Sequence, residues 1–348
     1  MMRKNTKRIL LVSHEMTYTG APRSLLYMAE VLRKESFYVE VWSIKDGPFL
    51  KEYKKKRIHA EIIDRNIEEQ RNRIASFDLI ILNTIYTVHF VDYFNAITRT
   101  ILFIREGMCL PQMLSNMSVS ESQLRRINEI YVVSEYAKSV LEDIYQLSEV
   151  KVLHNYVKNA HWLVPNFAKK NEINFMVSGT VEKRKGLDIA IEAFNLMPDN
   201  LKNCAYLHVV GNIPEWADDY WSSLSLKWNN RIIYHGYINN DKELYSLYKK
   251  MNVFLIPSRD EPCSLVALEG AMLGKALIMS ENVGAKYLDE KKYGVYPTYD
   301  VETLCRKMCS YTSRKTLLIQ GLKMRYKYLI TSSEFAYRRR IKELFTMV

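Results

Sequence analysis

Two glutamates, Glu261 and Glu269, stand eight residues apart in the segment 257–280, PSRDEPCSLVALEGAMLGKALIMS. The segment reads as a strand end, a polar turn holding Arg259, Asp260 and Glu261, and a helix that starts near Cys263 and Ser264. Unpaired amides and the positive end of the dipole at such a start favour a phosphate. Eight residues place Glu269 roughly two helical turns beyond Glu261, so the carboxylates could grip separate hydroxyl-bearing parts of one extended ligand, such as a sugar and a ribose. The plainer alternative makes Glu261 a helix cap and Glu269 a surface residue. A second segment, 178–194, SGTVEKRKGLDIAIEAF, reads as a strand, a glycine-containing loop with Lys183, Arg184, Lys185 and Gly186, and an amphipathic helix. Cations in a loop after a parallel strand can neutralise a diphosphate, with arginine suited to bidentate contact. A solvated charge run is the competing reading.

These segments need a scaffold, and the chain supplies one twice. Short β-branched apolar runs alternate with helix-length amphipathic segments, the pattern of parallel sheets with helical crossovers. In the first half the expected strands are 9–13, 39–44, 60–63, 79–83, 101–104 and 130–134, and Leu25, Leu26, Ala29 and Leu32 recur at helical spacing behind Pro22. The pattern restarts near residue 173, with expected strands 174–178, 206–210, 231–234, 253–257 and 276–280 and helices 187–196, 242–249 and 264–273. A polar stretch, 159–171, is the expected linker. The fold class is therefore α/β, with two Rossmann-like doubly wound domains facing across a cleft. Their expected spans are 1–165 and 166–325, with 326–348 a C-terminal helix that could pack back on the first. Ligands of such sheets bind beyond the carboxyl ends of the strands. His14, at that end of the first strand, is the one of seven histidines placed to take part, against the plainer reading of a packed or solvated ring.

Composition sets limits. The 348 residues suit two cores, and 48% hydrophobic with 26% charged residues is globular composition. The apolar run 9–12 is too short for the core of a signal peptide, and no apolar stretch approaches the roughly 18 residues that cross a bilayer. The expected location is cytoplasmic, at most at a membrane surface. Five cysteines form neither an even framework nor a set at zinc-ligand spacing, so reduced thiols and no metal are expected. A net charge of +11 attracts nucleic acid, anionic lipid or phosphorylated small molecules without choosing among them. No aromatic spacing resembles an RNA-binding sheet motif, and nucleic acid is not an expected partner.

The second half resembles, nearly end to end, the GT-B-fold glycosyltransferases of family four. Their pattern of proline, serine, a first glutamate, seven residues, a second glutamate, Ala-Met and glycine is matched by Pro257, Ser258, Glu261, Glu269, Ala271, Met272 and Gly274. The preceding glycine, five residues and Lys-Gly are matched by Gly179, Lys185 and Gly186, and 284–288, GAKYL, is similar to the glycine turn beside the donor. In the first half, TGAPRS at 19–24 resembles the family's opening glycine loop, and 132–134 and 152–155 its serine and asparagine turns. The resemblance implies retaining transfer from a nucleotide diphosphate sugar, without metal or other cofactor, to a glycan, lipid-linked or protein acceptor. It assigns Arg184 and Lys185 to the diphosphate, Glu269 to the ribose hydroxyls, Glu261 to the donor sugar, and the amides near Cys263, Ser264 and Leu265 to the leaving phosphate. Gly179, Thr180 and Gly284 would line the donor, and Gly20, Ala21, His14, Arg105 and Glu106 are acceptor-side candidates.

Three departures bear on this. Thr180 stands where the family usually has an arginine, Arg105 where many relatives have a histidine before a glutamate, and Pro262 removes one amide from the loop between the glutamates. A sugar-nucleotide epimerase of the same fold and a non-catalytic nucleotide-sugar-binding subunit are the alternatives.

Overall fold

The structure is a computed structural model, described for residues 6–63, 67–147, 149–159 and 172–346. The chain divides into two compact units, Met1–Tyr156 with Tyr337–Val348, and Val157–Ala336. The expected linker lies, apart from Asn159, outside the described residues, as does the expected boundary at 165/166.

The first unit holds seven strands, β1 (Arg8–Ser13), β2 (Tyr38–Ser43), β3 (His59–Ile62), β4 (Leu79–Asn83), β5 (Thr100–Ile104), β6 (Ile130–Val132) and β7 (Val150–Val152). They form one parallel sheet in the order β3-β2-β1-β4-β5-β6-β7. Ile9, Leu10, Leu11 and Val12 are fully buried, as a central strand covered on both faces requires. β6 ends at Val132 rather than Ser134, because Ser134 caps the next helix, its Oγ accepting from the Ala137 amide at 3.1 Å. β7, V-K-V, was not among the expected strands.

The second unit holds β8 (Ile173–Ser178), β9 (Ala205–Val210), β10 (Ile232–Tyr234), β11 (Val253–Ile256), β12 (Ala276–Ser280) and the unexpected two-residue β13 (Val295–Tyr296). This sheet is also parallel, in the order β10-β9-β8-β11-β12-β13. Two apolar cores flank it, one around Phe175, Val177, Phe194 and Leu207, the other around Met176, Phe254, Leu268 and Met279. Gly270 lets the Leu265–Met272 helix approach that second face, for a methyl there would meet Leu277 Cδ2 at 3.0 Å and Phe254 Cγ at 3.1 Å.

Each sheet reverses its strand order once, between β1 and β4 in the first and between β8 and β11 in the second. A crevice opens beyond the carboxyl ends of strands at such a reversal. The chain near the end runs as two helices, Arg314–Thr331 and Glu334–Thr346. Residues 326–331 therefore complete a helix of the second unit, and the expected C-terminal helix begins at Glu334. Its later part belongs to the first unit, where Ile341 is fully buried, the Tyr337 ring packs tilted against Tyr156 with centroids 4.6 Å apart, and Arg338 and Lys342 pair with Glu35.

Candidate functional site

In the second unit, β8 delivers Gly179 and Thr180 and β11 delivers Pro257 to Glu261, so both loops leave the sheet at its reversal. Gly179 (φ +145°) donates its amide to Val210 at 2.9 Å, and Val181 donates to Asn212, so the loop continues along β9. Gly211 makes this possible, because a Cβ there would sit 1.8 Å from the Gly179 carbonyl oxygen. A short turn, Lys183–Lys185, ends at Gly186 (φ +70°), where a Cβ would fall 2.0 Å from the Pro257 carbonyl oxygen. The two loops are thereby pressed together.

Arg259 fastens them. Its amide donates to the Arg184 carbonyl at 2.8 Å, and its guanidinium donates to the Lys183 carbonyl. The same guanidinium grips both Asp188 oxygens, at 2.9 and 2.6 Å. Tyr220 Oη also donates to Asp188, at 2.8 Å. Burial would raise the Asp188 pKa, but the Arg259 and Tyr220 hydrogen bonds outweigh it and hold the carboxyl below its ordinary value.

On this frame Lys185 Nζ donates to Glu261 Oε2, and Arg184 Nη1 lies 3.8 Å from the same oxygen. Arg184 also donates to the Asp260 carbonyl at 2.8 Å and to Glu182 Oε1 at 2.6 Å. Glu261 is buried, which alone would raise its pKa. The Lys185 ammonium and Arg184 guanidinium prevail and keep it ionised below the usual carboxylate range. Its backbone bonds into the next loop, accepting from Gly284 N at 2.8 Å and donating to the Asn282 carbonyl at 3.1 Å.

Half-buried Cys263 leads into Ser264, whose Oγ caps the Leu265–Met272 helix by accepting from Ala267 N at 3.1 Å. The Leu265 and Val266 amides precede the intrahelical ladder. Glu269 is buried on this helix, not a surface residue, and accepts from Tyr245 Oη at 3.2 Å.

In the first unit, His14 follows β1 and Thr84 follows β4, the two strands at the reversal. His14 Nδ1 lies 3.0 Å from Thr84 Oγ1, its ring stacks on Tyr86 at 5.1 Å, and Glu15 is 3.6 Å from Nε2. Burial lowers the His14 pKa, Glu15 opposes, and Lys45 and Arg105 add to the lowering. Thr84 has φ +80°, a strained conformation for a β-branched residue. Arg105 donates to Asn83 Oδ1 at 2.5 Å and to Asn155 Oδ1 at 2.9 Å. Glu106 accepts from the Arg105 and Ile85 amides at 2.9 and 3.2 Å, and burial raises its pKa. Gly20 and Ala21 open the helix Gly20–Lys34, behind Thr19, whose hydroxyl donates to Glu15.

Among the described residues, Glu40, His59 and Glu61 form the one group of three with metal-ligand types close enough to share an ion. Arg73 is ion-paired with both carboxylates, so a cation would have to displace a guanidinium already there.

The sequence alone did not single out Gly211, Asp188, Tyr220 or the fastening role of Arg259. Arg259 and Asp188 lie 71 residues apart, and no local pattern joins them. A glycine directly after a strand, as at Gly211, was the available signal.

Residues 161–314 match the family described as Glycosyl transferases group 1, and residues 5–102 match Glycosyl-transferase family 4. An uncharacterised glycosyltransferase of Methanocaldococcus jannaschii is 25% identical over 167 residues, 44% of this chain. The chain spans 42% of the length of that curated relative. HepE of Anabaena, solved in complex with UDP and glucose, shares the fold with a TM-score of 0.79 and 17% identity, over 98% of this chain and 100% of that one. A glycosyltransferase of Rickettsia africae gives 0.79 and 16% over 99% and 98%. The sucrose-phosphate synthase of Thermosynechococcus elongatus gives 0.75 and 14% over 98% of each chain.

Proposed function

Because this chain is a GT-B glycosyltransferase of the family-four type, we propose that it is a retaining, metal-independent transferase moving a sugar from a nucleotide diphosphate sugar to a glycan, glycolipid or glycoprotein. The observation that carries this reading is the convergence of Lys185 and Arg184 on Glu261 at the strand-order reversal of the second sheet. HepE, held with UDP and with UDP-glucose, supports a nucleotide-sugar donor.

In this proposal Lys185 and Arg184 hold the diphosphate, and the three N–H bonds of Lys185 let it serve phosphate while keeping Glu261. Glu261 orients the donor sugar, and Glu269, steadied by Tyr245, accepts from the ribose hydroxyls. The amides beyond Cys263 and Ser264, together with the helix dipole, stabilise charge as it develops on the leaving phosphate. Gly179 and Thr180 admit the ligand close to the backbone, and Gly284 closes the other side through its bond to Glu261. The departing phosphate takes the proton of the acceptor hydroxyl on the same face, so no enzyme nucleophile is needed. His14, Gly20, Ala21, Arg105 and Glu106 are proposed for the acceptor. Two fixed cations here do the charge neutralisation that a metal would otherwise supply.

The test is transfer or hydrolysis across a panel of nucleotide sugars with chelator present. Lys185→Ala and Glu261→Gln should each retain the fold and lose about 10²-fold or more in kcat. A folded double variant with undiminished turnover sinks the assignment. A second reading, a donor-binding subunit without turnover, is favoured by Thr180 and by the two protein acceptors that Arg184 already serves. Calorimetric donor binding without product would establish it.

A further inference from the structure

We propose that the outward face of the helix Arg314–Thr331 is a lipid-docking surface that seats the second unit on a bilayer carrying anionic headgroups. This helix has two apolar faces. Leu317, Met324 and Tyr328 are buried on one, with Met324 and Tyr328 in the core that also holds Leu268, Met272 and Met279. On the other, Ile319 (40% exposed), Leu322 (47%), Tyr326 (60%), Leu329 (42%) and Ile330 (44%) recur at the three- and four-residue spacing of a single stripe. A surface helix ordinarily turns polar residues outward, and a contiguous exposed apolar patch marks a contact with protein or membrane.

The charges choose between those. The helix has five cations and no acidic residue among its 18 positions. Lys327 is ion-paired with Glu290 at 2.5 Å and Arg325 donates to the Met272 carbonyl. The outward charge is carried by Arg314, Lys315 and Lys323, all exposed. Lys323 Nζ lies 4.8 Å over the exposed ring of Tyr293, and Lys291 and Lys292 are exposed beside it. A stripe of aliphatic and tyrosine side chains edged by ammonium groups is matched by a bilayer surface, where apolar groups enter the headgroup boundary and lysines meet anionic phosphate. A second copy packed symmetrically would set this positive edge against itself. The inner face is fixed in the core, so the helix lies along the bilayer. None of these residues is among those assigned to the donor, so the surface stands or falls apart from that reading.

The experiment is co-sedimentation of the full chain with vesicles of phosphatidylcholine alone and of phosphatidylcholine mixed with phosphatidylglycerol, at low and high salt. The expected result is binding to the anionic vesicles only, weakened by salt. Leu322→Ser with Tyr326→Ser, and separately Lys315→Glu with Lys323→Glu, should each reduce vesicle affinity about tenfold or more. If the serine pair lowers the melting temperature, the glutamate pair, confined to exposed positions, decides. Absence of binding, or binding that neither pair reduces, overturns the proposal. So does a wild-type dimer in sedimentation equilibrium that the serine pair converts to monomer, which would give the face to a second copy.

Discussion

Glu261 is held ionised by a neighbour 76 residues away in sequence, and this pairing has a pH signature. Because its folded-state pKa lies below the ordinary value, the stabilisation is complete above about pH 4.5 and disappears as pH falls through the lowered value. Lys185→Ala removes the main counter-charge from a buried carboxylate, so acid unfolding of that variant should begin at higher pH than in the wild type. Equilibrium denaturation across pH 3 to 7 would show it; superimposable profiles would remove the pair from the stability account. Gly186→Ala places a methyl against the Pro257 carbonyl at positive φ, and should cost about 2 kcal/mol or more in chemical denaturation. At this scale residue types were legible and their partners were not. The motif around Glu261 and Glu269 was readable as a string, while the burial of Glu269 and its bond to Tyr245 depend on a helix docked through Gly270.

Between elements, the two loops at the second sheet's reversal are joined by Arg259 and Asp188. Asp188→Ala leaves a guanidinium without its bidentate partner and should lower stability by about 1.5–3 kcal/mol. Because Arg259 also holds the Lys183 and Arg184 carbonyls, the same change should raise the donor KM more than it lowers kcat. Equal effects on both would mean that the loops keep their geometry without it. A further cross-strand link runs from Asn174 on β8 through His208 on β9 to His235, with contacts of 2.9 Å at each step. Burial, with His235 adding, lowers the His208 pKa to about 4. Its neutral packing therefore contributes fully above about pH 6.5 and is lost as pH falls toward 4. His208→Asn should flatten the melting temperature over that interval, as scanning calorimetry would record. Long β-branched strands announced themselves in the sequence, but β7 and β13, at three and two residues, are defined only by their hydrogen-bonded neighbours.

For the molecule as a whole, the doubling of one α/β pattern was visible in the order of apolar runs, and both sheets are parallel throughout as that pattern demands. What the order could not convey is which unit owns the final helix, because ownership depends on Tyr337 reaching Tyr156 and on Arg338 reaching Glu35, 303 residues earlier. Ile341→Ala should destabilise the first unit by about 2–5 kcal/mol, detectable as an earlier denaturation transition.

That the unit begun by Met1–Tyr156 is finished by Tyr337–Val348 has a consequence for how the protein is made. Domains commonly mature in the order in which the ribosome extrudes them. Here the middle unit is available in full while the one that preceded it still waits for its closing helix. The earlier-synthesised unit must therefore be the later to finish, and until residue 341 has emerged the hydrophobic seat of Ile341 stays uncovered.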